Sequence, residues 1–175
     1  MSENIDGLSM PDGWQRLWAP HRLDYLRGEN RPLDGNDVEC PFCRIPKLSD
    51  EEGLVVARGT HVYAVMNLYP YNPGHLLICA FRHVADLTDL SDEERNEMSA
   101  FTAHAMTTIR NVSEAHGFNL GMNQGAISGA GVADHIHQHV VPRWGGDANF
   151  MPIIGKTKVM PQLLSQTRSD LAAAW

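Results

Sequence analysis

The sequence predicts an α+β fold, a mostly antiparallel sheet packed with one long helix. Three observations lead there. Two apolar runs flank Gly59–Thr60 in the manner of a β-hairpin. One segment starting at Ser91 carries helical periodicity and a cap. The remaining short apolar runs cluster on either side of that helix, and strands grouped around one helix fit this class.

Taken in order, residues 1–38 are rich in Trp, Arg, Asp and Pro without a clear period. They read as an N-terminal arm with a short helix near Gln15–Arg27. Residues 39–175 read as a single catalytic domain with a C-terminal tail, of a size that supports one core. Leu54–Arg58 and His61–Met66 form the hairpin, and Asn67–Gly74 (N-L-Y-P-Y-N-P-G) is a loop by its Pro and Gly content. Leu76–Phe81 is a buried strand. Ser91 and Glu94 make a capping box, and Met98, Phe101, Ala105, Ile109 and Val112 form the apolar stripe of the long helix. Gly117 is its expected stop. Phe118–Asn123 follows as a strand, Gln124–Asp134 as a glycine-rich loop and His135–Pro142 as the last strand. A short amphipathic piece is expected near Val159–Thr167.

The 175 residues carry a formal charge of −7. No basic patch is evident to meet a nucleic-acid backbone, so none is expected as a partner. A negatively charged substrate must then be held by local donors rather than by net charge. No apolar run approaches the roughly 20 residues of a membrane span, and no signal pattern opens the chain. These features predict a soluble, cytoplasmic protein without membrane attachment. Three cysteines in such a compartment argue against a disulfide framework.

The most informative stretch is H-I-H-Q-H-V-V, with His135, His137 and His139 at alternate positions. On a strand, residues two apart share a face at steps of roughly 6.5–7 Å. The three imidazoles then line one side while Ile136 and Val140 turn into a core. The outer two, roughly 13 Å apart, cannot serve one metal ion. A nucleophilic imidazole is the better use, because attack on phosphorus gives a phosphoramidate that a second acceptor opens. Neutral imidazole is abundant at pH 7. The loop N-Q-G-A-I-S-G-A-G, Asn123 to Gly131, leads into this row, and its glycines let backbone N–H groups converge on an anion.

His135–Val141 followed by Pro-Arg resembles the histidine-triad signature of nucleotide hydrolases and transferases. Asn67–His75 is similar to that family's nucleoside-binding segment. R-L-W-A-P-H-R-L-D-Y-L and C-P-F-C resemble its bacterial branch, and Gly145–Ile154 is similar to actinobacterial members that phosphorolyse diadenosine tetraphosphate. The resemblance implies that His137 attacks the α-phosphorus and that His139 contacts phosphate or the leaving group, with His135 completing the catalytic row. It implies that Asn67 bonds the ribose, that Met66 and Leu68 wall the base pocket, and that His75 lies near the nucleoside. Asn123, Gln124 and the Gly129–Ala130–Gly131 backbone would hold phosphates. Family hydrolases carry Gln and then Ser or Thr where this chain has Gly131–Val132. That departure points to inorganic phosphate, rather than water, as the second acceptor.

C-P-F-C also gives Cys40 and Cys43 the spacing of half a zinc site. The resemblance implies a Cys40, Cys43, His83, His135 set, which would be closed and structural. The alternative is two reduced core cysteines and a solvated His83. The sequence therefore predicts an enzyme that turns diadenosine tetraphosphate and phosphate into ATP and ADP through a nucleotidyl-histidine, with a structural zinc and a homodimeric or higher assembly. The competing expectations are a hydrolase of dinucleoside polyphosphates or nucleoside phosphoramidates, and a nucleotide-binding sensor with little turnover. A zinc-dependent hydrolase is weaker, since it needs an open metal position.

Overall fold

The computed structural model describes residues 40–147 and 160–175. The expected arm over 1–38, and most of the 145–154 tail similarity, lie outside the described residues. Five strands form one antiparallel sheet: β1 (Val55–Arg58), β2 (Val62–Met66), β3 (Leu76–Ala80), β4 (Gly117–Gly121) and β5 (His137–Arg143). Their order across the sheet is β1-β2-β3-β5-β4, so β5 inserts between two strands made earlier in the chain. A short turn of helix, α1 (Pro41–Arg44), precedes the sheet. The long helix α2 (Asp92–Ser113) connects β3 to β4, and α3 (Leu164–Ala173) closes the chain.

Alternation along each strand gives the sheet two different faces. One face packs on the helices through Val62, Ala64, Met66, Ile78, Ile136 and Val140, with Met98, Ala105, Ile109 and Leu171 opposite. The other holds a smaller cluster that includes Phe42, Tyr63, Val65, Leu77, Cys79 and Val132. His137 pairs with Cys79 and His139 with Leu77 in the β3–β5 ladder. Both histidines therefore share the face of the smaller cluster, away from the long helix.

Three elements differ from the sequence reading. The long helix ends at Ser113, and Glu114 takes the left-handed cap at φ 52°; Gly117 instead opens β4. Val112 is exposed, and Thr102 and Thr108 occupy buried helix positions. Thr102 meets the polar cost by donating its hydroxyl to the Met98 carbonyl, a helix-internal bond that periodicity of apolar residues does not register. The last strand starts at His137, so His135 lies two residues ahead of it. The amphipathic tail piece forms a helix a few residues later than expected, at Leu164.

Two acidic residues anchor α2 to its surroundings. Glu97 accepts the backbone N–H groups of Thr60, His61 and Val62, fixing the hairpin turn. That approach requires Gly59, where a Cβ would sit 2.6 Å from Glu97 Oε1 and 2.9 Å from Phe101 Cζ. Glu94 closes the capping box with Ser91 and receives both Nε and Nη2 of Arg82.

The Arg82 hydrogen bonds, helped by the Ser91 N–H and opposed by burial, hold the Glu94 carboxyl at about 2 against an ordinary 4.5. A depressed carboxylate contributes stability above its unfolded value, and that contribution is lost as pH falls through its folded value. Glu94→Gln should cost about 1–2 kcal/mol at neutral pH. Its thermal unfolding should also depend less on pH between 4.5 and 2 than the parent's. Parallel pH curves for the two proteins would contradict this account.

Candidate active site

The β3–β5 register brings His137 to the middle of a buried aromatic group. Its Nδ1–H donates to the carbonyl of His135 at 2.8 Å. A carbonyl only accepts, so the proton sits on Nδ1 and the neutral ring keeps a bare lone pair on Nε2. Phe42 packs on the same ring at 4.8 Å between centroids and His139 meets it edge-on at 5.0 Å. Burial pushes the imidazolium form of His137 down, against the pull of its carbonyl bond, so the ring is neutral at pH 7. Burial acts likewise on His135 and His139, both lowered to about 4.

A second chain of bonds fixes His139. His75 is fully buried, and its Nδ1 accepts the Tyr71 backbone N–H at 3.0 Å and the Asn67 amide at 3.3 Å. Because Nδ1 accepts, the His75 proton lies on Nε2 and is donated to His139 Nδ1 at 3.0 Å. The His139 proton is thereby left on Nε2. That nitrogen is buried with no hydrogen-bond partner among the described residues. A buried orphan donor is costly and marks a place where an acceptor belongs. The Tyr71 ring stacks on His139 at 5.7 Å and 9°. The face thus presents one bare imidazole nitrogen beside one imidazole N–H. Two cavities of about 190 and 430 Å³ border the long helix instead, and neither is lined by a histidine of the row.

The imidazole of His135 turns the other way. Its Nε2–H donates to the Ala80 carbonyl at 2.9 Å, which leaves Nδ1 bare and facing the cysteines. That Nδ1 lies 3.5 Å from both Cys40 Sγ and Cys43 Sγ, and His83 Nδ1 lies 3.3 Å from Cys43 Sγ. The four ligand atoms are all within 4.8 Å of one another. Zn–S bonds near 2.3 Å and Zn–N bonds near 2.0–2.1 Å at tetrahedral angles put S and N about 3.5 Å apart. Donor set, spacing and the His135 tautomer therefore fit a tetrahedral metal ion. His135 meets the nucleophile candidate through its backbone carbonyl rather than its ring.

The remaining expected residues are placed unevenly. Met66 lies on the helix face inside the main core, so the pocket role expected for it does not follow from its position. Leu68 is exposed in the loop after β2. Asn67 is a turn-former as well, its Oδ1 accepting the Tyr69 N–H at 2.9 Å. Gln124 accepts the Leu87 N–H through Oε1, which leaves its amide N–H₂ as the donor. Asn123 is half-buried beside it. Gly129 holds φ +85° after a 3-10 turn at Ala126–Ser128, a conformation that favours glycine. Ala130 is buried, Gly131 half-buried, and Val132 turns inward into the Phe42 cluster. Two further residues pack on the histidine row, Phe42 against His137 and Tyr71 against His139. Phe42 stands between the two cysteines and Tyr71 between two prolines, and neither position carries a periodic signal.

This geometry defines a class: an antiparallel sheet presenting a histidine pair with fixed, complementary tautomers, flanked by a glycine loop. Residues 49–146 match the HIT domain, and the chain belongs to that family. It is 55% identical over 172 residues, 97% of this chain and 88% of the relative, to a Mycobacterium tuberculosis protein named AP-4-A phosphorylase. Among solved structures it resembles a Zn-bound histidine triad family protein from Mycobacterium smegmatis. That likeness has a TM-score of 0.62 at 27% identity and covers 78% of this chain and 92% of that one. A hypothetical histidine triad nucleotide-binding protein from Sulfolobus tokodaii shares the fold with a TM-score of 0.63 at 22% identity, over 77% of this chain and 91% of that one.

Replacing His75 by Phe removes the donor to His139 Nδ1. The His139 ring should then lose its Nε2–H preference, read by long-range proton–nitrogen NMR of the ring. An unchanged tautomer in that variant would show that His75 does not set it.

Proposed function

We propose that this chain is a phosphorylase of diadenosine tetraphosphate. The observation that carries the reading is the bare Nε2 of a buried, neutral His137 whose opposite nitrogen is tied to a carbonyl. The AP-4-A phosphorylase similarity over nearly the whole chain supplies the substrate.

In the first step the His137 Nε2 lone pair attacks an α-phosphorus. A P–N bond forms, the phosphoanhydride P–O bond breaks, and ATP leaves with that electron pair. The Nδ1–H stays on the ring, and its bond to the His135 carbonyl disperses the positive charge that develops. The His139 Nε2–H donates to the departing oxygen, which gives the orphan donor its acceptor. In the second step an oxygen of inorganic phosphate attacks the same phosphorus. The P–N bond breaks, ADP forms, and neutral His137 is restored. Asn123, the Gln124 amide and the Gly129–Ala130–Gly131 backbone hold the phosphates. Asn67, Leu68 and His75 border the nucleoside. Inward-facing Val132 offers no hydroxyl to the acceptor, in keeping with phosphate rather than water in that role.

A zinc ion held by Cys40, Cys43, His83 and His135 would supply a closed structural crosslink between α1, the segment after β3 and the start of β5. The Zn-bound relative supports that assignment. Residues 39–175 act as one catalytic unit behind an N-terminal arm. A homodimer fits the fold, because among the described residues β4 pairs only with β5 and carries an exposed Leu120 at the sheet edge. No helix among the described residues is long and apolar enough to cross a membrane, in line with a cytoplasmic enzyme.

Incubation with diadenosine tetraphosphate and phosphate should yield equimolar ATP and ADP. Removal of phosphate should stop turnover after one equivalent of ATP; AMP released in its absence would identify a hydrolase instead. His137→Ala should lower kcat by at least about 10³-fold while the nucleotide still binds. Wild-type affinity with no turnover under any condition would favour a sensor.

Metal analysis should find about one zinc per chain, and Cys43→Ser should lose most of it. Chelation should lower the melting temperature, and activity should fall no faster than the metal leaves. Full metal loss without any thermal shift would contradict the structural role.

A further inference from the structure

The loop between the two cysteines does more than carry them. Phe42 sits inside C-P-F-C, on the helical turn whose Cys43 and Arg44 N–H groups both bond the Cys40 carbonyl. Its ring does not face solvent with the rest of that turn; only 7% of the residue is exposed. It packs on two rings of the histidine row at once. His135 lies edge-on at 5.5 Å and 64°, and His137 lies at 4.8 Å and 44°. Its carbonyl is pinned from behind by the hydroxyl of the buried Tyr63 at 2.7 Å. One apolar side chain thus bridges the cysteine pair and the nucleophile.

Among the described residues the His137 ring has one polar restraint of its own, the Nδ1–H bond to the His135 carbonyl. A single hydrogen bond leaves rotation about the Cβ–Cγ bond opposed weakly. Packing must supply the remainder, and interior side chains hold orientation by filling the space a ring would swing through. Phe42 and His139 both pack against the ring, at 4.8 and 5.0 Å between centroids. The position of Phe42 depends in turn on the turn that also presents Cys40 and Cys43, and the carbonyl that His137 uses belongs to His135. Two of these three restraints, the His135 carbonyl and Phe42, therefore start from a residue of the Cys40, Cys43, His83, His135 cluster or from the residue between two of them.

We infer that Phe42 is a positioning residue through which occupancy of the Cys–His metal cluster sets the orientation of the His137 imidazole. A loaded cluster clamps the C-P-F-C turn and the His135 backbone together, and the clamped turn holds Phe42 against the reacting ring. With the cluster empty, the ring samples other rotamers and Nε2 points at phosphorus for a smaller fraction of the time. The device makes reactivity at the nucleophile responsive to zinc although zinc touches no substrate. It rests on the proposed phosphorylase reading only for its consequence in turnover.

The test starts in the free protein, without nucleotide, so that it stands whatever the substrate proves to be. In zinc-loaded wild type, ring proton–nitrogen NMR should show His137 as a single Nδ1–H tautomer with sharp lines. Phe42→Leu, which keeps apolar volume and leaves every metal ligand in place, should retain its zinc and yet show a broadened or mixed His137 ring. Chelated wild type should show broadening at least as large, because the His135 carbonyl is released together with Phe42. With diadenosine tetraphosphate and phosphate, Phe42→Leu should lower kcat about ten- to a hundredfold with KM held within about twofold. A sharp Nδ1–H ring in zinc-loaded Phe42→Leu overturns the positioning role. A sharp ring in chelated, folded wild type overturns the coupling to metal, and this arm decides alone if the variant does not fold. Absence of turnover in wild type refutes the phosphorylase reading while the NMR arms still decide this one.

Discussion

The bond from His137 Nδ1–H to the His135 carbonyl is the constraint on which the site depends. It lies between residues two apart in sequence, so it costs little chain entropy to form. Its consequence is chemical. An imidazole has one proton to place when neutral, and tying that proton to a carbonyl on one side strips the other side bare. Burial then keeps a second proton off. The proposed nucleophilic state needs no general base, because the local backbone has already chosen the tautomer. The neighbouring ring is fixed by the same logic with the opposite result, since His75 donates to the Nδ1 of His139 and leaves its Nε2 as a donor. One strand therefore offers an electron pair and a proton side by side, from two copies of the same residue.

That arrangement requires the sheet to have two unlike faces. Ile136, just ahead of β5, and Val140 on its helix face enter a continuous apolar core, and the register with β3 cannot slip by one residue without exposing Val140. The histidines occupy the face left over. They are stabilised there by a smaller cluster of aromatic and aliphatic side chains that is dense enough to bury His75 and His135 completely. The helix itself is tied down by carboxylates rather than by apolar contact alone. Glu97 gathers three backbone N–H groups of the hairpin turn and Glu94 joins the helix cap to Arg82. The result holds β2 and β3 in the register that β5 needs.

Much of this was legible in residue order, for identifiable reasons. The hairpin, the buried third strand and the capped helix announce themselves because each obeys a short-range period or a cap whose two residues are three apart. The alternate histidines are legible on the same ground. Sidedness across strands is not. Met66 reads as a pocket wall beside Asn67, yet the alternation that turns Tyr63 and Val65 toward the histidines turns Met66 toward the helix. The long helix ends ahead of the expected Gly117 because Glu114, not a glycine, adopts the left-handed cap. His75 and Tyr71 act on His139 across 64 and 68 positions of chain, and no spacing rule reaches that far. The same holds for Cys43 and His135, whose proximity rests on where α1 lands.

The two functions of His135 show how economically the site is built. A ring that donates through Nε2 to Ala80 must face the cysteines with Nδ1, so its side chain is unavailable to substrate. Its carbonyl, in the same residue, orients the His137 ring. A closed four-ligand cluster has no open position at which to polarise a phosphate. Zinc bound at this cluster would therefore act by fixing where the His135 backbone and the C-P-F-C turn lie. The proposed metal would thus reach the reacting ring through the geometry of a peptide group, with the first histidine of the row turning its ring to the cysteines and its carbonyl to His137.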